Sequence, residues 1–178
     1  MKDLKQFNIQ YVGLKNESHL FEYQIGKSFF DAYNFDEFFD ANIKVTLTLD
    51  KKSTLLDLSF KAQGTINVTC DVSGEIFDQE VEAALQLIVK FGEEYNDENE
   101  EILILPYSEF QVNVAQYIYE MIVLSVPSKR VHPKVLDGSM ESEALKKLEQ
   151  LRVKEQKPTE NVDPRWDKLK SLITEKKT

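Results

Sequence analysis

The stretch IKVTLTLDKKSTLLDLSFKAQGTINVTCDVSGEIFDQEVEAALQLIVKF, residues 43–91, alternates apolar and polar side chains with a period of two. Ile43, Val45, Leu47 and Leu49 fall on one side and Lys44, Thr46 and Thr48 on the other, the pattern of a strand with one face in a core and one in water. Lys51, Lys52 and Ser53 then read as a turn, after which Leu56, Leu58, Phe60 and Ala62 resume the alternation. Gly64 is read as a break, followed by Ile66, Val68, Cys70 and Val72. Ser73 and Gly74 are a further turn before Val81, Ala83, Leu85, Leu87 and Val89. The expectation is an antiparallel meander of four strands.

Working outward, the segments around Phe7–Val12 and His19–Ile25 are also strand-like, and the Phe-rich SFFDAYNFDEFF, residues 28–39, reads as a helical turn or loop. On the far side, GEEYNDENEE places six acidic residues between Glu93 and Glu101, a solvated loop by composition. VNVAQYIYEMIVLSV, residues 112–126, is apolar on nearly all sides, as a helix packed into a core would be. Asn113 with Gln116 fits a capping box, and Pro127 ends the helix, giving Asn113–Ser125. Lys134–Met140 reads as loop, and ESEALKKLEQLRVKEQK as a helix with a thin stripe of Leu145, Leu148 and Leu151 under heavy charge. Pro158 interrupts it. Asp163 and Pro164 then open a last helix with Trp166, Leu169, Leu172 and Ile173 at helical spacing. The fold class is therefore α+β: an antiparallel sheet, with a strongly curved or barrel-like form as an option, closed by one buried helix and followed by a C-terminal helical tail. The expected domains are an α+β core at 1–133 and a basic helical tail at 134–178.

The chain has 178 residues, 42% hydrophobic and 30% charged, so a single packed core is expected. The opening MKDLKQFNIQYVG lacks the apolar stretch of a secretory leader, and no run approaches the roughly 20 residues that span a bilayer, which makes a cytoplasmic, membrane-free protein the expectation. A lone Cys70 supplies neither an internal disulfide nor a structural zinc site. The net charge of −9 disfavours indiscriminate nucleic-acid binding, yet it is unevenly spread. Residues 128–178 hold 13 Lys or Arg against 9 Asp or Glu, while residues 1–127 hold 9 against 22.

Three blocks carry a resemblance: INVTCDVSGEIFDQEVEAALQLIVKF at 66–91, NVAQYIYEMIVLSVPSKRVHP at 113–133, and DPRWDKLKSL at 163–172. In order and content they resemble the YceD-type family, formerly a domain of unknown function, and its Bacteroidetes-like members in particular. The resemblance implies a non-enzymatic role in accumulation or maturation of large-subunit (23S) ribosomal RNA. Family members commonly place a Cys-x-x-Cys where this chain has Cys70 and Ser73, so a metal or redox role for that pair does not carry over.

Among candidate residues, Cys70 shares a face with Ile66 and Val68 and reads as a buried small apolar side chain. His19 and His132 lack a Cys, Asp or Glu at metal or nucleophile spacing, there is no phosphate-cradling glycine loop, and the acidic run lacks EF-hand spacing. No catalytic residue, metal site or cofactor is assigned. Lys129, Arg130 and His132 directly follow a helix end, where cations either cap carbonyls or meet phosphates. Arg165, Lys168 and Lys170 surround Trp166, an arrangement that either contacts phosphates and stacks a base or anchors the tail. These seven are the candidate RNA- or partner-binding residues. The partner expected is ribosomal RNA or a large-subunit precursor; the alternative is a protein-interaction adaptor whose C-terminal helix or acidic loop docks a protein.

Overall fold

The computed structural model describes residues 4–141 and 143–151. The chain divides into two compact units, Met1–Met140 and Glu141–Thr178. In the first, a short 3-10 turn at Leu4–Phe7 leads into β1 (Asn8–Gln10) and β2 (Ser18–Gly26), followed by helix α1 (Lys27–Ala32). Three long strands follow, β3 (Asp40–Lys51), β4 (Leu55–Thr69) and β5 (Ile76–Gly92), then β6 (Asn96–Asn99), β7 (Ile102–Pro106) and β8 (Gln111–Asn113). Helix α2 (Ala115–Ser125) and the short α3 (Pro133–Leu136) complete this unit. The second unit contributes α4 (Glu143–Leu151), which buries no side chain.

The fold is α+β. Six strands form one open sheet in the order β2-β3-β4-β5-β7-β6, and β1 pairs with β8 in a separate two-stranded ribbon. The sheet is not closed into a barrel. Nor is it purely antiparallel, because β7 lies parallel to β5, pairing Ile88 with Ile102 through Gly92 with Pro106. The acidic segment expected as loop supplies β6, which runs antiparallel along β7 at the sheet edge. Its carboxylates stay exposed, which is why composition alone suggested a loop.

The meander has three strands where four were expected, because β4 runs unbroken through Gly64. A Cβ at that position would lie 2.2 Å from the Asn42 carbonyl oxygen and 2.6 Å from Ile43 Cα on β3. Glycine is there for close strand approach, not for a turn. The period-two reading holds along β3, where Ala41, Ile43, Val45, Leu47 and Leu49 are buried, and along β4, where Leu56, Leu58, Phe60, Ala62, Ile66 and Val68 are. Their common face packs against the helices, with α1 on β2 and β3 and α2 on β5.

Helix α2 is buried on one side only, through Ala115, Ile118, Met121 and Ile122, while Leu124 is 83% exposed. The capping box is not formed: Asn113 belongs to β8, the N-cap is Val114, and Gln116 bonds Glu120 instead. Asn113 nevertheless accepts the Ala115 N–H through its side chain at 2.9 Å. The Phe-rich segment closes one end of the core. Phe30 meets Phe38 edge-on at 4.9 Å, and Tyr33 stacks on Tyr119 of α2 at 4.3 Å. The segment at 134–140, expected as loop, begins within α3, capped by the His132 side chain, which accepts the Lys134 N–H.

Candidate nucleic-acid interface

The residues that follow α2 are tied to the turn between β4 and β5. That turn closes through a Gly74 N–H donated to the Cys70 carbonyl at 2.9 Å, with Gly74 at φ +75°, a left-handed conformation that glycine adopts freely. Asp71 then makes a reciprocal clasp with Arg130: its N–H donates to the Arg130 carbonyl at 2.8 Å, and its carboxylate accepts the Arg130 N–H at 2.6 Å. The guanidinium of Arg130 also faces Glu37 at 3.4 Å and Asp71 at 3.8 Å. These carboxylates lie 93 and 59 residues away in sequence, so no local spacing announced them.

Cys70 completes the junction from inside. Buried with Ile66 and Val68, its sulfur accepts N–H groups from Ser73 at 3.4 Å and His132 at 3.3 Å. Burial pushes the thiol pKa up, but these donors, with Val72, outweigh it and bring the group down to about 7. Ser73, at the second position of the Cys-x-x-Cys pattern, thus helps hold a single sulfur through its backbone. The His132 ring packs on Phe77 at 5.2 Å.

Of the seven candidate residues, three fall among those described. Lys129 is exposed and forms no ion pair among the described residues. Arg130 is held between two carboxylates, and His132 caps α3 and meets Phe77. Beside them a cleft of about 200 Å³ runs between Phe35, Phe38, Val126, Pro127, Ser128 and Arg130. Arg165, Trp166, Lys168 and Lys170 lie outside the described residues, as do Pro158 and the helix expected from Asp163.

The outward face of the sheet is mixed in charge, with Lys61 on β4 and Lys90 on β5 exposed among carboxylates. Along β5 it carries Asp78, Glu80 and Glu82, and Lys44 on β3 is paired with Glu22 at 2.7 Å. The aromatics of β2, Phe21 and Tyr23, point inward against the core. His19 and His132 are far apart. Strand pairing aligns His19 with Leu49 and Leu49 with Leu58, whereas Phe77 aligns with Val68, ten positions further along β4, or roughly 33 Å at strand spacing. Among the described residues, no three His, Cys, Asp or Glu side chains gather where they could hold a metal ion, and no helix is long and apolar enough to cross a membrane.

No match is found among curated proteins, and none among solved structures. The family model of the large ribosomal RNA subunit accumulation protein YceD does match, over residues 58–173. That span runs from within β4 through the Cys70 turn, α2 and the Arg130 clasp to the tail, about two thirds of the chain. The chain therefore belongs to the YceD family, and its role lies in the accumulation of large-subunit ribosomal RNA.

Proposed function

We propose that the protein acts in the cytoplasm without catalysing a reaction, and that it promotes maturation of 23S ribosomal RNA by binding that RNA or a large-subunit precursor. The observation that carries this reading is the charge division of the chain: 13 basic against 9 acidic residues after position 127, and 9 against 22 before it. A phosphate backbone is attracted to the first part and repelled by the second. The clasp at Asp71 and Arg130 supports the same reading, because it fixes the point where the basic part leaves the sheet, with Lys129 exposed beside it. Lys129, Arg165, Lys168 and Lys170 are the phosphate contacts, Trp166 is the stacking group, and Arg130 and His132 hold the segment in place.

The test is association with purified large-subunit ribosomal RNA across a salt series, comparing the wild-type chain with one carrying Lys129→Glu, Arg165→Glu, Lys168→Glu and Lys170→Glu. Each lost phosphate contact lowers the slope of log affinity against log salt by roughly 0.7–0.9. Unaltered association in the charge-reversed chain would sink the reading. No measurable affinity for the purified RNA at any salt concentration would instead favour the adaptor alternative, in which Trp166 and Leu169 fill a groove on a protein partner.

A further inference from the structure

A second surface of opposite character lies at the far edge of the sheet. From Phe91 to Ser128 the chain contains no Lys, Arg or His and eight carboxylates, every one of them exposed. Within this stretch three aromatic side chains also face water: Tyr95 is 56% exposed, Tyr107 74% and Phe110 53%. Tyr95 borders a cleft of about 430 Å³ whose lining also includes Asn8, Leu105, Pro106, Glu109 and Gln111, so that the β7–β8 turn carrying Tyr107 and Phe110 contributes Glu109 to it.

The surface is built rather than loose. Tyr107 donates its N–H to the Gly92 carbonyl at 3.1 Å and Glu109 its N–H to the Pro106 carbonyl at 3.0 Å, closing the turn that carries Tyr107 and Phe110. The buried Tyr11 hydroxyl bonds the Glu109 carbonyl from beneath at 2.6 Å. Tyr95 donates its hydroxyl to Asp97 at 3.0 Å, leaving its ring exposed. The negative field reaches the neighbouring Tyr117, whose hydroxyl pKa is pushed up to about 12 by burial and by Tyr95, Asp97 and Glu120.

Exposed rings interleaved with carboxylates discriminate among partners. A nucleic acid is repelled by the carboxylates, and a purely apolar partner leaves them desolvated. A guanidinium satisfies both elements: its plane stacks on an aromatic face while its N–H fork meets a carboxylate. Lysine provides the charge without the plane. We propose that this face, formed by β6, the β7–β8 turn and the start of α2, binds an arginine-rich segment of a basic protein. This inference stands apart from RNA contact by the basic tail, and its charge requirement is the reverse.

The test uses the full-length chain and a short fluorescent peptide of alternating Arg and Ser, with its Lys and Ser counterpart as control. The Arg peptide is expected to bind several-fold more tightly than the Lys peptide. Tyr107→Ser combined with Phe110→Ser, both at exposed positions, is expected to weaken it about 10-fold, as two exposed cation–π contacts would. The tail charge reversals leave this binding in place. Equal affinity for both peptides, or an unchanged affinity in the double variant, overturns the proposal. A benzophenone amino acid at position 107, photoactivated in the native cell, supplies an independent readout. Crosslinks to an arginine-rich protein segment support the proposal, while crosslinks to RNA or to arginine-poor surfaces overturn it.

Discussion

Replacing Gly64 by alanine tests the reason β4 runs unbroken. The added methyl would sit 2.2 Å from the Asn42 carbonyl oxygen, 2.6 Å from Ile43 Cα and 3.0 Å from the Asn42 carbonyl carbon, all backbone atoms of β3. Ordinary contact begins near 3.4 Å. The strands must therefore separate by about an ångström at a point where Ile43 and Val81 flank Gly64 on either side. No side chain can rotate away to relieve the overlap. Overpacking a core costs about 1–3 kcal/mol, and a rigid backbone neighbour places this substitution at the upper end. The reduced freedom of the unfolded chain returns about 0.4–1 kcal/mol. The net loss is about 2 kcal/mol, which for a chain of this size lowers Tm by roughly 4–8 °C. The assay is urea unfolding followed by far-ultraviolet circular dichroism, with Gly13→Ala as control, since nothing lies within 4 Å of a Cβ there. A Gly64→Ala chain as stable as the control would refute the close-approach account.

The thiolate of Cys70, as the lone cysteine, is directly observable by its ultraviolet absorbance and is expected to titrate near pH 7; a midpoint at 8.5 or above would mean that burial outweighs the N–H donors. Because its folded-state pKa is depressed below the ordinary 9.0, the stabilisation is complete above that value and is lost as pH falls through about 7. The stability advantage over Cys70→Ser should accordingly grow between pH 7 and 9. At the clasp, Asp71→Ala removes the acceptor of the Arg130 N–H and is expected to cost about 1 kcal/mol, discounted for its exposure, whereas Asp71→Asn keeps an acceptor and should cost less than half of that. Equal losses in denaturant unfolding would place the effect in the charge rather than the hydrogen bond.

Much of the fold was legible because period-two alternation is a local property. Each residue of β3 and β4 declares its face through its own polarity, and Cys70 is buried with the neighbours its spacing implied. Gly64 was misread because a glycine signals equally a turn or a close approach, and only the position of Asn42 on the neighbouring strand separates the two. β6 was missed because a hydrophilic edge strand carries no buried face to mark it. Arg130 and His132 stand out in the sequence because they come after a helix end, which is where the structure has them, beyond α2. Their roles in the clasp depend on Glu37, Asp71, Cys70 and Phe77, which reach them only after folding.

By itself, then, the amino-acid order determined the α+β class, the inward face of each long strand, the end of α2 before Pro127 and the basic character of the C-terminal part. These follow from side-chain polarity, backbone restriction and charge, which are properties of single residues and their near neighbours. Only the tertiary structure decided that the sheet stays open, that β7 enters it parallel to β5, that Arg130 is paired, and that Tyr95 borders a cleft with Asn8 and Glu109. Each of these is a contact between segments distant in the chain, set by which packing buries the most apolar surface while satisfying the backbone.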